Sequence, residues 1–121
     1  MRSERLKGHL DLLLMSVLSR GPGHGYEVIT RLRERSEGAF ELPEGTVYPA
    51  LHRLEETGLL ASAWDVVSGR RRRIYRLTPA GAAALAEQAE PWRKFSGSVA
   101  RVLGTPAAGM TWRPLLPGAP A

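Results

Sequence analysis

The sequence predicts a mainly α chain with one small β-hairpin. Three observations carry that reading. Apolar residues recur at helical spacing in four stretches, bounded by glycine or proline. Two runs rich in β-formers flank Ser68 and Gly69, a turn pair. And 121 residues without a cysteine make one compact domain with little left over and no disulfide or thiolate zinc site.

The first helix is expected over about 4–19. Leu6, Leu10, Leu13, Leu14, Val17 and Leu18 form one apolar stripe, with Leu12 and Met15 in a second beside it. A helix apolar on more than one face needs more than one neighbour. The second stripe is therefore expected to meet a partner chain. Gly21, Pro22 and Gly23 end the helix. The most apolar run, 10–18, is interrupted by Asp11 and Ser16 and is far short of the roughly 20 residues that span a bilayer. No signal peptide is read. A cytoplasmic protein with no membrane contact is the expectation.

The second helix is expected over about 24–37, with Gly38 as its stop. Gly25, Val28, Ile29 and Leu32, together with Tyr26, are its buried stripe. Glu27, Arg31, Glu34 and Arg35 form a solvated face. Leu42 and Pro43 lead into a third helix that ends near Thr57 and Gly58. Its regular part is expected to begin with Thr46 as N-cap. Pro49 is then the third helical residue, where a missing N–H costs nothing. A start at Pro43 is the other possibility, and Pro49 would then remove one internal hydrogen bond. Val47, Leu51 and Leu54 face inward, which turns Tyr48, His52 and Arg53 elsewhere.

Residues 59–67 and 72–77 read as the two hairpin strands, with Trp64 in the first and Tyr75 and Leu77 on one face of the second. The hairpin holds the chain's charge excess. There are 17 Lys and Arg against 12 Asp and Glu, and Arg70, Arg71, Arg72, Arg73 and Arg76 account for the whole difference of five. Four consecutive arginines at and beside the tip repel one another and suit a polyanion. Without an anion they are a solvated charge run.

Thr78 and Pro79 open the last helix as N-cap and first helical residue. It is expected to reach about residue 103. Leu85, Ala89, Trp92, Val99 and Val102 form a seam near heptad spacing, with Phe95 beside it. Pro91 should kink or interrupt the helix just before Trp92. So small a domain cannot cover the distal half, so a second chain is expected there. The tail, 104–121, is rich in Pro, Gly and Ala and is expected to lack stable structure, with Trp112, Leu115 and Leu116 as apolar exceptions.

This order describes a winged helix-turn-helix over 1–78, a C-terminal dimerisation helix over 79–103 and a tail. In such a fold the third helix enters the major groove of double-stranded DNA, and the hairpin reaches the flanking backbone or minor groove. The candidate DNA-facing residues are Thr46, Tyr48, Pro49, His52 and Arg53, with Arg70, Arg71, Arg72 and Arg73. Thr46 at a helix start can hold a phosphate. Arg53 can grip guanine O6 and N7 in bidentate fashion. The other use for Arg53 is an ion pair with Glu55 or Glu56.

The sequence resembles the PadR family of transcriptional regulators. The resemblance rests on His24, Gly25, Tyr26, Glu27 and Val28, then on the run from Gly45 to Glu55 (GTVYPALHRLE). It continues through Gly58, Leu59, Leu60, Trp64, the arginines, Tyr75, Arg76, Leu77, Thr78 and Gly81, in order over about 8–103. It implies a homodimer built on the first and last helices, bound to a roughly palindromic operator and acting as a repressor. It also implies that Tyr48 and Thr46 approach the DNA backbone. Pro43, Pro91 and the tail depart from the family pattern. Two copies of Trp92 facing each other across a dimer axis would make a site for a planar, apolar effector. Otherwise Trp92 is an interface anchor. Trp92, Phe95, Leu12, Met15 and Val99 are the candidates for effector binding or the dimer interface.

The runner-up is a winged-helix adaptor for RNA or protein, because fold alone does not fix function. Enzyme chemistry is not expected. His9, His24 and His52 lie apart with no metal-ligand spacing, and no nucleophile elbow, P-loop or dinucleotide fingerprint is present. No cofactor or metal is implied.

Overall fold

The computed structural model describes residues 9–105. The elements are α1 (Leu10–Leu18), β1 (Gly23–His24), α2 (Gly25–Arg35), α3 (Glu44–Glu56), β2 (Leu60–Val67), β3 (Arg70–Leu77) and α4 (Pro79–Leu103). The expected start of the first helix, with Leu6, lies outside the described residues. So do Trp112, Leu115 and Leu116.

The core is built by α1, α2 and α3 over the base of the sheet. Leu14, Met15, Val28, Val47, Leu51 and Leu60 are fully or almost fully enclosed. Met15 is thus not on a partner-facing stripe. Helix α1 touches α2, α3 and β3, and these neighbours within the same chain enclose Met15. Leu12 is half-buried.

Helix α2 begins with a reciprocal cap. The Glu27 N–H donates to His24 Nδ1 at 3.3 Å, and the His24 N–H donates to Glu27 Oε1 at 3.0 Å. This uses two helix-end donors that would otherwise lack partners. Val28 and Leu32 face the core, so Tyr26, two residues before Val28, falls on the far side of the helix and is 54% exposed, against expectation. The supposedly solvated face also works structurally. Arg31 donates to the Gly21 and Pro22 carbonyls at 3.0 and 2.9 Å, and Arg35 donates to the Ser16 carbonyl at 3.3 Å. Together they tie α2 to α1 and its loop. Glu37 and Gly38, at φ 54° and 86°, end the turn, with the Gly38 N–H on the Arg33 carbonyl at 2.8 Å.

Helix α3 starts two residues before Thr46. The Pro43 carbonyl accepts from the N–H groups of Thr46 and Val47 at 3.0 and 3.1 Å, so backbone alone opens the helix. Thr46 is a first-turn residue and not the N-cap. Pro49 lies inside the helix, and the carbonyl that it leaves without an intrahelical N–H belongs to the exposed Gly45.

The sheet is antiparallel, in the order β1-β3-β2. Val67 pairs with Arg70 around a two-residue turn whose Ser68 and Gly69 both have positive φ, 54° and 78°. This handedness matches the twist of a tight hairpin. The turn closes so tightly that all four arginines fall within β3 rather than at the tip. The third strand, β1, was not expected. Gly23 pairs with Tyr75 and His24 with Ile74.

Thr78 caps α4 as expected. Its hydroxyl accepts from the Gly81 N–H at 3.0 Å and donates to the Gly58 carbonyl at 2.7 Å. Ala84 and Leu85 pack on the core. The compact unit extends through Ala86, and residues from Glu87 form a second. In that second unit α4 stays helical through Pro91, so the expected interruption does not occur. The carbonyl that Pro91 leaves unmatched belongs to the exposed Glu87. Among the described residues, no helix is long and apolar enough to cross a membrane.

Candidate nucleic-acid interface

Val47, Ala50, Leu51 and Leu54 anchor α3 in the core. Helical geometry then turns Pro49, His52 and Arg53 to solvent and leaves Thr46 and Tyr48 half-buried. Tyr48 and His52 sit on the side facing the hairpin. With Trp64 and Tyr75 they line a cleft of about 270 Å³, whose remaining walls are the start of α2 and residues Arg71, Arg72 and Arg73 of β3. Five of the nine candidate DNA-facing residues therefore meet in one concave place. Thr46, Pro49, Arg53 and Arg70 lie outside it.

The strand register explains the arrangement. Trp64 pairs with Arg73 and Val66 with Arg71, so Trp64, Arg71 and Arg73 share a face. The Arg71 and Arg73 guanidiniums lie 4.6 and 5.3 Å from the indole ring centre. That distance suits attraction between a cation and a ring face. Arg73 is also tied to α3. Its Nε donates to Ser62 Oγ at 2.8 Å, and Ser62 Oγ donates to Glu55 Oε2 at 2.7 Å. Arg73 Nη2 stands 3.6 Å from the same carboxylate. The hairpin is thereby fixed against the helix beside it.

Burial raises the Tyr48 phenol above its ordinary pKa of 10.0, and the nearby Glu44 charge adds to this, while Arg72 opposes it. The group stays protonated at neutral pH and can donate to an anion.

Arg53 is paired, but with neither Glu55 nor Glu56. Its Nη2 meets Asp11 Oδ1 of α1 at 2.6 Å. Glu55 instead serves Ser62 and Arg73. Spacing could not reveal Asp11, which lies 42 residues away. The places of Ser62 and Trp64 follow from the register once the two-residue turn is recognised. Among the described residues, no group of three or more His, Asp or Glu side chains gathers to hold a metal ion.

Known proteins share this framework. Transcriptional regulator Rv3488 of Mycobacterium tuberculosis is 56% identical over 55 residues, which are 46% of this chain and 51% of that one. The chain thus spans about half the length of this curated relative. A PadR family transcription regulator from Clostridium difficile R20291 superposes with a TM-score of 0.68 at 36% identity, covering 79% of this chain and 99% of its own. PadR of Bacillus subtilis, solved in complex with operator DNA, superposes with a TM-score of 0.62 at 19% identity. Covering 68% of this chain and 47% of that one, it shows a shared fold. Residues 14–87, more than half of the chain, match the transcriptional regulator PadR-like family. This protein is a member of that family of transcriptional regulators, and not an enzyme.

Proposed function

We propose that the protein binds double-stranded DNA sequence-specifically, with α3 in the major groove and the β3 arginines on the adjoining backbone or minor groove. The observation that carries this reading is the joining of the exposed side of α3 to three consecutive arginines of β3 in one cleft. A helix alone reads base edges, and a basic strand alone grips phosphate. Here Ser62 and Glu55 bridge the two. The operator complex of the Bacillus subtilis relative supports the same use of the fold.

We further infer that the protein works as a homodimer on a roughly palindromic operator. Support comes from α4, where Trp92, Phe95 and Val99 are exposed together with Val102 and Leu103. Repression is the mode that the family resemblance implies. A planar, apolar effector near Trp92 is part of the proposal. Its test is quenching of Trp92 fluorescence, which a Trp92→Ala variant should lose.

Selection of bound sequences from random duplex DNA tests the central reading. A palindrome with half-sites about 34–36 Å apart is expected. If each protomer neutralises three to four phosphates, the log–log salt slope should be roughly −6. Recovery of no consensus, or equal binding of single-stranded RNA, would overturn it.

A further inference from the structure

We propose that Asp11 sets the sequence discrimination of the reading helix by holding Arg53 until a base edge replaces it. This rests on the DNA-binding reading above. Arg53 is the arginine of α3, on an exposed part of that helix. Its Nη2 lies 2.6 Å from Asp11 Oδ1, a short charge-assisted contact. Yet the two side chains are 54% and 41% exposed, so the pair is open to water. Exposed pairs of this kind add little stability and are readily exchanged. Asp11 is therefore poorly suited to bracing the fold and well suited to holding a side chain in reserve.

The exchange has a direction. A lone phosphate offers Arg53 one anion in place of another. Guanine offers two acceptors, O6 and N7, matched to the guanidinium fork. Asp11 thus penalises wandering of Arg53 onto arbitrary backbone more than it penalises the specific contact. Its charge also cancels that of Arg53 toward distant phosphates. Specificity is a difference of affinities, and lowering the wrong one is enough to widen it. Glu55, the α3 carboxylate two turns from Tyr48, cannot play this part, because it already accepts from Ser62.

The test uses the full chain, the Asp11→Asn and Arg53→Ala variants and the double variant. Each is titrated with the selected duplex and a random duplex over a range of salt. Asp11→Asn should raise random-duplex affinity by about three- to tenfold and steepen the salt slope by about one, as for one added phosphate contact. Affinity for the selected duplex should change by about twofold at most, so the specificity ratio falls. In the Arg53→Ala background Asp11→Asn should raise random-duplex affinity far less, through the loss of its long-range charge alone. Asp11→Glu, which keeps the charge, should restore low random-duplex affinity. Equal loss on both duplexes with a lower melting temperature would show a brace and overturn the proposal. An effect of undiminished size without Arg53, or no effect at all, would also overturn it. Failure of the unaltered protein to prefer the selected duplex would sink the DNA-binding reading itself, and this proposal with it.

Discussion

The Tyr48 ring lies against Gly25, so close that no side chain fits between α3 and the first turn of α2. A Cβ built on Gly25 would fall 2.8 Å from Tyr48 Cζ and 3.0 Å from Cδ1, and closer still to Cε1. The backbone of one helix thus sets the position of a phenol on the other. That phenol lines the cleft shared with the arginines.

Gly25→Ala should therefore act on both stability and binding. Overpacking of this kind costs about 1–3 kcal/mol, visible as a lower melting temperature. The ring must move, so affinity for DNA should fall as well. Tyr48→Ala removes the clashing group. The double variant should be more stable than the sum of the single losses predicts, by about 0.5 kcal/mol or more. Strict additivity would mean that the two residues do not press on one another.

Ser62 joins Arg73 to Glu55, and through them the hairpin to α3. Ser62→Ala removes one acceptor and one donor in a part-buried place. A loss of about 1 kcal/mol is expected in thermal or urea unfolding. Binding should weaken on every duplex alike, because the wing is loosened and no base contact is lost. A change in sequence preference with unchanged overall affinity would contradict this role.

Two tyrosines make the fold sensitive to alkali. Burial raises both Tyr48 and Tyr75 above 10.0, assisted by Glu44 for Tyr48 and by Glu55 for Tyr75, and opposed by Arg72 and Arg73 respectively. Between the unfolded value and the raised folded one, the folded state holds more protons. Stability must then fall as pH climbs. It is fully present below 10.0, declines above it, and stops declining on this account once the folded phenols ionise. Tyr75→Phe and Tyr48→Phe should each flatten the fall in melting temperature across that window. A slope unchanged in both variants would assign the sensitivity to other groups.

Much of the framework was legible because periodicity reports burial. Val47, Leu51 and Leu54 had to face a core, which turned Tyr48 and His52 outward. Thr78 before Pro79 marked the start of α4 through cap chemistry. Other features carry no such signal. Strand β1 is two residues long, too short to show a period. Helix α3 opens on the Pro43 carbonyl, and a backbone group has no letter in the sequence. Met15 shows that spacing counts apolar faces without saying which chain covers them. The length of the turn decides whether Arg70 is loop or strand, and the residue run around Ser68 and Gly69 does not fix that length. The pairing of Arg53 with Asp11 is a tertiary contact between exposed charges, which no local pattern encodes.

The last element yields the prediction on which the proposed operator symmetry depends. Trp92 and Phe95 are three residues apart on α4, with ring centres 6.0 Å apart and planes tilted by 31°. Trp92 is 51% exposed and Phe95 61%, a large aromatic pair to leave facing water. Residues three apart share a helix face, so the two rings act as one apolar block. Aromatic anchors of this size dominate many interfaces, and truncating one costs about 2 kcal/mol, or roughly thirtyfold in dissociation constant. Trp92→Ala should therefore shift sedimentation from dimer toward monomer by about that factor. The melting of the domain before Glu87 should be little changed, since its core does not include Trp92. Affinity for a palindromic duplex should drop more than affinity for a single half-site, because linked reading helices bind the second half-site as an intramolecular step. Equal losses on the palindrome and the half-site would mean that Trp92 does not join the two readers. A sedimentation profile identical to that of the unaltered protein would remove α4 from the interface.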